Sequence, residues 1–334
     1  MRYIYRWTFK LFVILGFTWS LAGHAAVLNV SYNVGKGASW DYAANVFKEI
    51  IEKESDGKYT VRLHPNAVLA GGNDGVEIEM CQANAIQFII KGSSWLDSLD
   101  SSFGLISLPW LFPDLDTAEY VMSGEAGDLL LDKLANHKLV GLAWGIDGFR
   151  QLTNSRRPIE SPADLKNLKI RVPGIDMYID IFRAIGANPT TMSFSEVFTA
   201  LQTKTVDGQE NPLSFIESSH MYEAQEYLTL WNYSSAAPAL VASQIFYDGL
   251  DDAEREMFKA AAREAMRQEA DFVKKQEAEL LNKLKENGMK VTELSEEQQL
   301  EFKEMLQPVY DSWKKKIGEE TVEVFENKVK EYTQ

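Results

Sequence analysis

The chain has 334 residues, with 34 Lys+Arg against 49 Asp+Glu, a formal charge of −15, one Cys, four His and 45% hydrophobic residues. That length exceeds a comfortable single hydrophobic core and points to two domains, while the apolar content excludes wholesale disorder. One cysteine makes no internal disulfide, four scattered histidines leave little for a soft metal site, and the acidic balance excludes a basic nucleic-acid-binding stripe.

Arg2, Arg6 and Lys10 precede an uncharged, mostly apolar run from Leu11 to Gly23, and Gly23-His24-Ala25 offers small residues where a signal peptidase reads. The run holds 13 residues, short of the roughly 20 that span a bilayer as a helix. Residues 1–25 therefore read as a signal peptide cleaved near Ala25, the competing reading being an uncleaved anchor. The remaining chain would carry −18 over 309 residues.

Val27 to Tyr32 reads as a strand, Asn33-Val34-Gly35-Lys36-Gly37 as a turn, and Ser39 as an N-cap. Trp40, Ala43, Ala44, Phe47, Ile50 and Ile51 then follow helical spacing up to Asp56-Gly57. Tyr59, Val61 and Leu63 alternate with polar residues as a second strand. Strand, helix and strand in about 35 residues make a βαβ unit and imply a parallel sheet. The turn Ala70 to Gly75 opens another unit with its strand at Ala85 to Ile90, and Cys81 sits in an apolar-periodic stretch as a buried, inert thiol. Further strands are expected at Leu139 to Trp144, Leu168 to Val172 and Pro238 to Phe246. From Asp252 to Asn287 no Pro or Gly interrupts 36 residues, about 54 Å of helix that either breaks or braces two lobes. Ser295-Glu296-Glu297-Gln298 is a capping box that starts a further helix.

Catalytic motifs are mostly missing. The histidines form no H-E-x-x-H pattern, and there is no G-x-S-x-G elbow. Gly35-Lys36 fails as a P-loop, because Gly37 stands where Ser or Thr belongs and Val30 where the first Gly belongs. What remains are arginines near strand ends. Arg150 follows the loop Gly145-Ile146-Asp147-Gly148-Phe149, and Arg171 ends Leu168-Lys169-Ile170 before Val172-Pro173. Open α/β sheets bind ligands beyond the carboxyl ends of strands, and a guanidinium there matches a carboxylate with two parallel hydrogen bonds. Asn211 precedes Pro212, which disfavours the helical region and frees its amide to face a cleft.

A series of segments runs in order along the chain: Gly148-Phe149-Arg150-Gln151, Thr153-Asn154-Ser155-Arg156, Pro162-Ala163-Asp164-Leu165-Lys166 and Leu168-Lys169-Ile170-Arg171-Val172-Pro173. Gly186-Ala187-Asn188-Pro189, Met192 to Val197, Ala200-Leu201-Gln202-Thr203 and Val206 to Pro212 continue it, with Leu108-Pro109-Trp110-Leu111-Phe112 upstream. Taken together, they resemble the extracytoplasmic solute-binding proteins of tripartite ATP-independent periplasmic (TRAP) transporters, of the dicarboxylate-binding type. The resemblance implies two α/β lobes of the periplasmic-binding-protein kind, crossing hinge strands, a cleft and a long C-terminal helix bracing both lobes. The expected boundaries are 26–147 with about 237–276 for the first lobe and 148–236 with about 277–334 for the second.

By the same resemblance Arg171 pairs with a substrate carboxylate, Arg150 supports it, Asn211 hydrogen-bonds the ligand and Phe194 packs on it. Asn33 and Asp74 line the first-lobe side, and Trp95 and Trp144 are aromatic candidates. In the sialic-acid-binding branch an acidic residue follows the second sheet strand. Here Lys91-Gly92-Ser93-Ser94 holds none, and Lys91 either meets a second anionic group or points to solvent. The implied protein is a periplasmic monomer without metal or cofactor. It captures a dicarboxylate, sugar acid, keto acid or sulfonate and hands it to a membrane permease. The competing readings are a secreted enzyme with Glu210 or Asp147 as general base, and a ligand-sensing periplasmic subunit.

Overall fold

The computed structural model describes residues 25–334, so the expected signal peptide lies, but for Ala25, outside the described residues. Two sheets carry the architecture. The first runs Tyr59–His64, Ala26–Tyr32, Phe88–Gly92, Pro238–Ser243, Leu139–Trp144 in spatial order. Its first three strands are parallel, as the βαβ pattern dictates, and Pro238–Ser243 inserts antiparallel to both neighbours. The second runs Lys290–Glu293, Tyr227–Leu230, Gln151–Asn154, Gly208–Asn211, Lys169–Val172, Asn188–Thr191.

The chain crosses between the sheets at a two-stranded antiparallel ribbon, Gly148–Phe149 against Ser235–Ala236. Backbone bonds extend this ribbon on both sides: Gly145 N–H to Pro238 O at 2.8 Å, Asp147 N–H to Ala236 O at 2.9 Å, and Arg150 N–H to Ser234 O at 2.9 Å. A paired crossing leaves a hinge without loose ends.

The uninterrupted run in the C-terminal third forms one helix, Asp252–Glu286, of 35 residues. Asp251 caps it with a reciprocal Glu254 contact, which satisfies the amide donors of the first turn. Its first half buries Phe258, Ala261, Ala262, Ala265 and Met266 in the first-lobe core. Its last turns place Leu280, Leu281 and Leu284 against Val197, Leu213 and Ile216 of the second. The helix therefore braces both lobes and does not break.

Several boundaries differ from expectation for identifiable reasons. The third strand is Phe88–Gly92, because pairing with Ala26–Tyr32 begins only at Val30↔Phe88. Pro238–Ser243 stops short of Phe246, where the short helix Gln244–Asp248 takes over. Ser39 is the first residue of the helix Ser39–Glu54, and Ala38 occupies the cap position. The Ser39 hydroxyl donates instead to Asp147, 3.2 Å away. Residues 277–334, expected with the second lobe, divide. Lys290–Glu293 joins the second sheet, but the last helix, Glu319–Thr333, packs on Leu115–Ser123 and Glu125–Lys133 of the first. Glu296–Ile317, capped by Ser295 and Gln298, touches both lobes.

The glycine of Val206-Asp207-Gly208 is a packing requirement. A Cβ there would run into the Thr153 carbonyl of the adjacent strand and lie 2.9 Å from Asn154 Cβ. Gly208→Ala should therefore cost about 1–3 kcal/mol through overpacking, read as a lower denaturant midpoint in urea unfolding.

Candidate functional site

Between the two sheets, where the ribbon crosses, lies a narrow crevice. Asn33, Val34, Trp40, Gly92, Ser94 and Trp95 line it from the first lobe, Asp147, Arg150 and Ala236 from the crossing, and Arg171, Pro173, Phe194, Asn211 and Phe215 from the second. Its free volume is about 30 Å³, two to three times the ~10–15 Å³ that one water requires. The lobes are closed. At the rim Gly72 of the first lobe meets Ser195 of the second so closely that an added Cβ would lie 3.2 Å from the Ser195 hydroxyl.

Arg171 sits in the strand Lys169–Val172 and is 1% exposed. Its Nε and Nη2 donate to the Met192 carbonyl at 3.3 and 2.8 Å, while Nη1 is buried with no partner. No carboxylate among the described residues forms an ion pair with it. Burial pulls its pKa down to about 10, although Glu210 pulls the other way. It stays cationic at neutral pH. The Phe194 ring lies 6.0 Å from its guanidinium carbon. Phe194 opens the helix Phe194–Gln202, meets Phe215 edge-on at 5.9 Å, and Phe215 meets Trp40 edge-on at 5.7 Å. This aromatic row crosses the crevice from lobe to lobe.

Arg150 presents a different electrostatic situation. Its guanidinium forms a fork on Glu210, with Nη2 at 2.8 Å from Oε1 and Nε on Oε2, and Nη2 also donates to the Asn211 side-chain oxygen at 3.3 Å. The Tyr233 hydroxyl donates to the same carboxylate at 2.8 Å. Asn211 donates through Nδ2 to Gln209 at 2.5 Å. Its amide lines the crevice as expected but is tied on both sides, not free.

Lys91 lies elsewhere than the free cation expected for a second anionic group. It is fully buried, with Nζ 2.5 Å from Asp74 Oδ1 and 2.5 Å from Glu77 Oε2, so its charge is spent beneath the crevice wall. Asp74 is buried behind Asn33, whose Nδ2 donates to it at 2.5 Å. Trp95 lines the crevice, with Lys91 Nζ 5.9 Å from its ring. Trp144 does not line it. Its indole N–H bonds the Gly127 carbonyl at 3.0 Å and its ring packs near Phe103 in the core. Cys81 is buried, and burial followed by the Glu77 charge pushes its thiol far up, as an inert core cysteine requires.

A second acidic pair sits at the crossing. Asp147 accepts from Trp40 Nε1 at 2.5 Å and from Ser39, and Glu269 of the long helix accepts the Ile146 backbone N–H at 2.9 Å. Burial pushes Asp147 up to about 7 and Glu269 well above the usual carboxylate range, the Asp147 charge adding to the latter. Among the described residues no cluster of His, Cys, Asp and Glu is arranged to hold a metal, and no helix is long and apolar enough to cross a membrane. A larger surface hollow of about 930 Å³ lies between residues 50–59 and 251–264. Six carboxylates line it, and its one lysine, Lys58, is paired with Glu254, so it suits no anion.

The chain matches bacterial extracellular solute-binding protein, family 7 (DctP) over residues 30–316. It is 30% identical to the C4-dicarboxylate-binding protein DctB of Bacillus subtilis, covering 89% of this chain and 84% of that protein. The sugar acid binding protein DctPAm of Advenella mimigardefordensis, solved in complex with galactonate, superposes with a TM-score of 0.88. It is 35% identical and covers 92% of this chain and 98% of that one. A TRAP periplasmic solute binding protein of Ralstonia eutropha, solved with (S)-2-acetolactate bound, also gives 0.88, at 30% identity and 91% and 99% coverage. The chain belongs to this TRAP solute-binding family.

A TRAP solute-binding protein is a transporter subunit and not an enzyme, which corrects the alternative of a secreted catalyst. The geometry gives the physical reason at Glu210, since both its oxygens are held by Arg150 and Tyr233. Sequence reasoning missed the Glu210 anchor, the Met192 carbonyl and the aromatic pair Trp40 and Phe215. Met192 and Glu210 lie inside segments already singled out, and Phe215 stands three residues after Pro212 at a helix start, but nothing local to those segments marked these roles.

Two outcomes follow for this protein. Lys91→Met strips the shared counter-charge from buried Asp74 and Glu77 and should cost about 3–5 kcal/mol in denaturant unfolding. Asp147 and Glu269 hold protons more tightly folded than unfolded, so their contribution is present below about pH 4 and is lost as pH rises, for Asp147 through about 7. Melting temperatures of Glu269→Gln between pH 4 and 8 should show a smaller decline than those of the parent chain.

Proposed function

We propose that this TRAP solute-binding protein captures a small organic acid through a carboxylate on Arg171 and delivers it to the membrane permease of its transporter. The observation that carries the reading is the buried, ion-pair-free guanidinium of Arg171 with Nη1 unpartnered at the crevice. A buried charge without a counter-ion is costly, and an entering carboxylate is the group that relieves it. The contrast with Arg150, neutralised by Glu210, supports a division of roles. Arg171 receives the anion, while Arg150 holds Asn211 and the crossing ribbon in place. Phe194 and Trp95 cover the bound acid from the two lobes, and Asn33 faces its far end. The relatives solved with galactonate and with acetolactate, and the C4-dicarboxylate-binding relative, support the choice of a small carboxylic acid.

The acid enters an open form, and closure of the lobes removes water and strengthens the pair in a low-dielectric site. The moving bodies are 26–147 with about 237–276, and 148–236 with the chain beyond about 277, the last helix riding on the first. Ligand binding favours the closed member of this equilibrium by its differential affinity. The closed form then docks on the permease. Export to the periplasm after cleavage near Ala25 places the protein where the permease collects its solute.

Arg171→Ala should weaken binding of the cognate acid at least thirtyfold, the low end of the ~2–5 kcal/mol for truncating one partner of a buried charge pair. Isothermal calorimetry on the folded variant reads this directly, and undiminished affinity would refute the assignment.

A further inference from the structure

The two walls of the crevice differ in hydrogen-bonding sign. The second lobe presents donors, since Arg171 Nη1 has no partner and Arg150 leaves Nη1 outside its bonds to Glu210 and Asn211. The first lobe presents an acceptor. Asn33 is 8% exposed and lines the crevice, and its amide orientation follows from its neighbour. Asp74 Oδ1 can only accept, so Nδ2 must be the atom that faces it, and Oδ1 is left buried and without a donor. Asp74 Oδ2 behind it is likewise buried and unpartnered.

The charge behind that wall has the same sign. Lys91 supplies one positive charge to two carboxylates, Asp74 and Glu77, and Ser31 also donates to Glu77. The cluster is net negative by one charge, and it has no cation left over. A second carboxylate at this end would meet an acceptor backed by a net negative charge, with both sides desolvated. A hydroxyl would instead donate to Asn33 Oδ1 and satisfy a buried acceptor that is otherwise left without a partner.

Resting on the organic-acid reading above, we infer that the preferred ligand is a hydroxylated monocarboxylate, its carboxylate on Arg171 and a hydroxyl on Asn33 Oδ1, and not a dicarboxylate. Asn33 is the residue that sets this selectivity. Sites built to bond a ligand hydroxyl discriminate strongly against analogues lacking it, because the buried polar group is then left unpaired.

The test is calorimetry on the chain from residue 26, with matched pairs of acids: D-erythronate against succinate, D-gluconate against adipate, and butanoate as the common reference. The expected result is that a hydroxylated monocarboxylate is the tightest binder of the panel and exceeds its paired dicarboxylate at least tenfold. In Asn33→Leu that advantage should shrink to less than threefold. If a dicarboxylate binds as tightly as its hydroxylated partner, the inference is overturned while the organic-acid reading stands. If no acid of the panel binds, both fall. Should Asn33→Leu fail to fold, the ranking on the parent chain decides alone.

Discussion

A guanidinium taken out of water without a counter-ion is the constraint around which the rest of this molecule is arranged. Desolvation of Arg171 is unfavourable, and the fold limits the cost with one carbonyl, that of Met192, and an aromatic face, that of Phe194. Nothing else in the crevice competes for it. The carboxylates close enough to do so are already engaged, Glu210 by Arg150 and Tyr233, Asp74 by Lys91 and Asn33. The acidic surface of the chain therefore coexists with one buried guanidinium that has no ion-pair partner among the described residues, since the total of −15 says little about the field at one buried atom.

The crossing ribbon and the long helix give that crevice its mechanics. Paired backbone at Gly148–Phe149 and Ser235–Ala236 concentrates the change of direction at a few residues, and Gly148 takes a positive φ of 93° to make it. The helix Asp252–Glu286 contributes to both cores, so the lobes share a rigid element as well as a hinge. Gly145 belongs to the same device, because an added Cβ would collide with the Glu269 carboxylate of that helix.

Much of this was legible in the residues. The βαβ spacing at the start of the chain, the capping box at Ser295 and the Pro-free helix all depend on local rules, and they appear where those rules place them. Arg171 and Arg150 were legible as strand-end cations. What was not legible was which of them is free, because that depends on Glu210, sixty positions from Arg150, and on pairing across Gln151–Asn154 and Gly208–Asn211. Lys91, read as meeting either an anion or solvent, meets neither for the same reason. A lysine after a strand looks available until the helix Asp74–Gln82 brings two carboxylates over it. Partner choice among buried charges is a tertiary property, and the sequence pattern carries only the candidates.

The rim contact between Gly72 and Ser195 has a further meaning. Two of the smallest side-chain positions in the protein oppose each other at the seam, so the lobes shut flush with almost no clearance. A side chain at position 72 would press on the Ser195 hydroxyl and hold the two edges apart, so how tightly this seam shuts is set by the size of the residues on it.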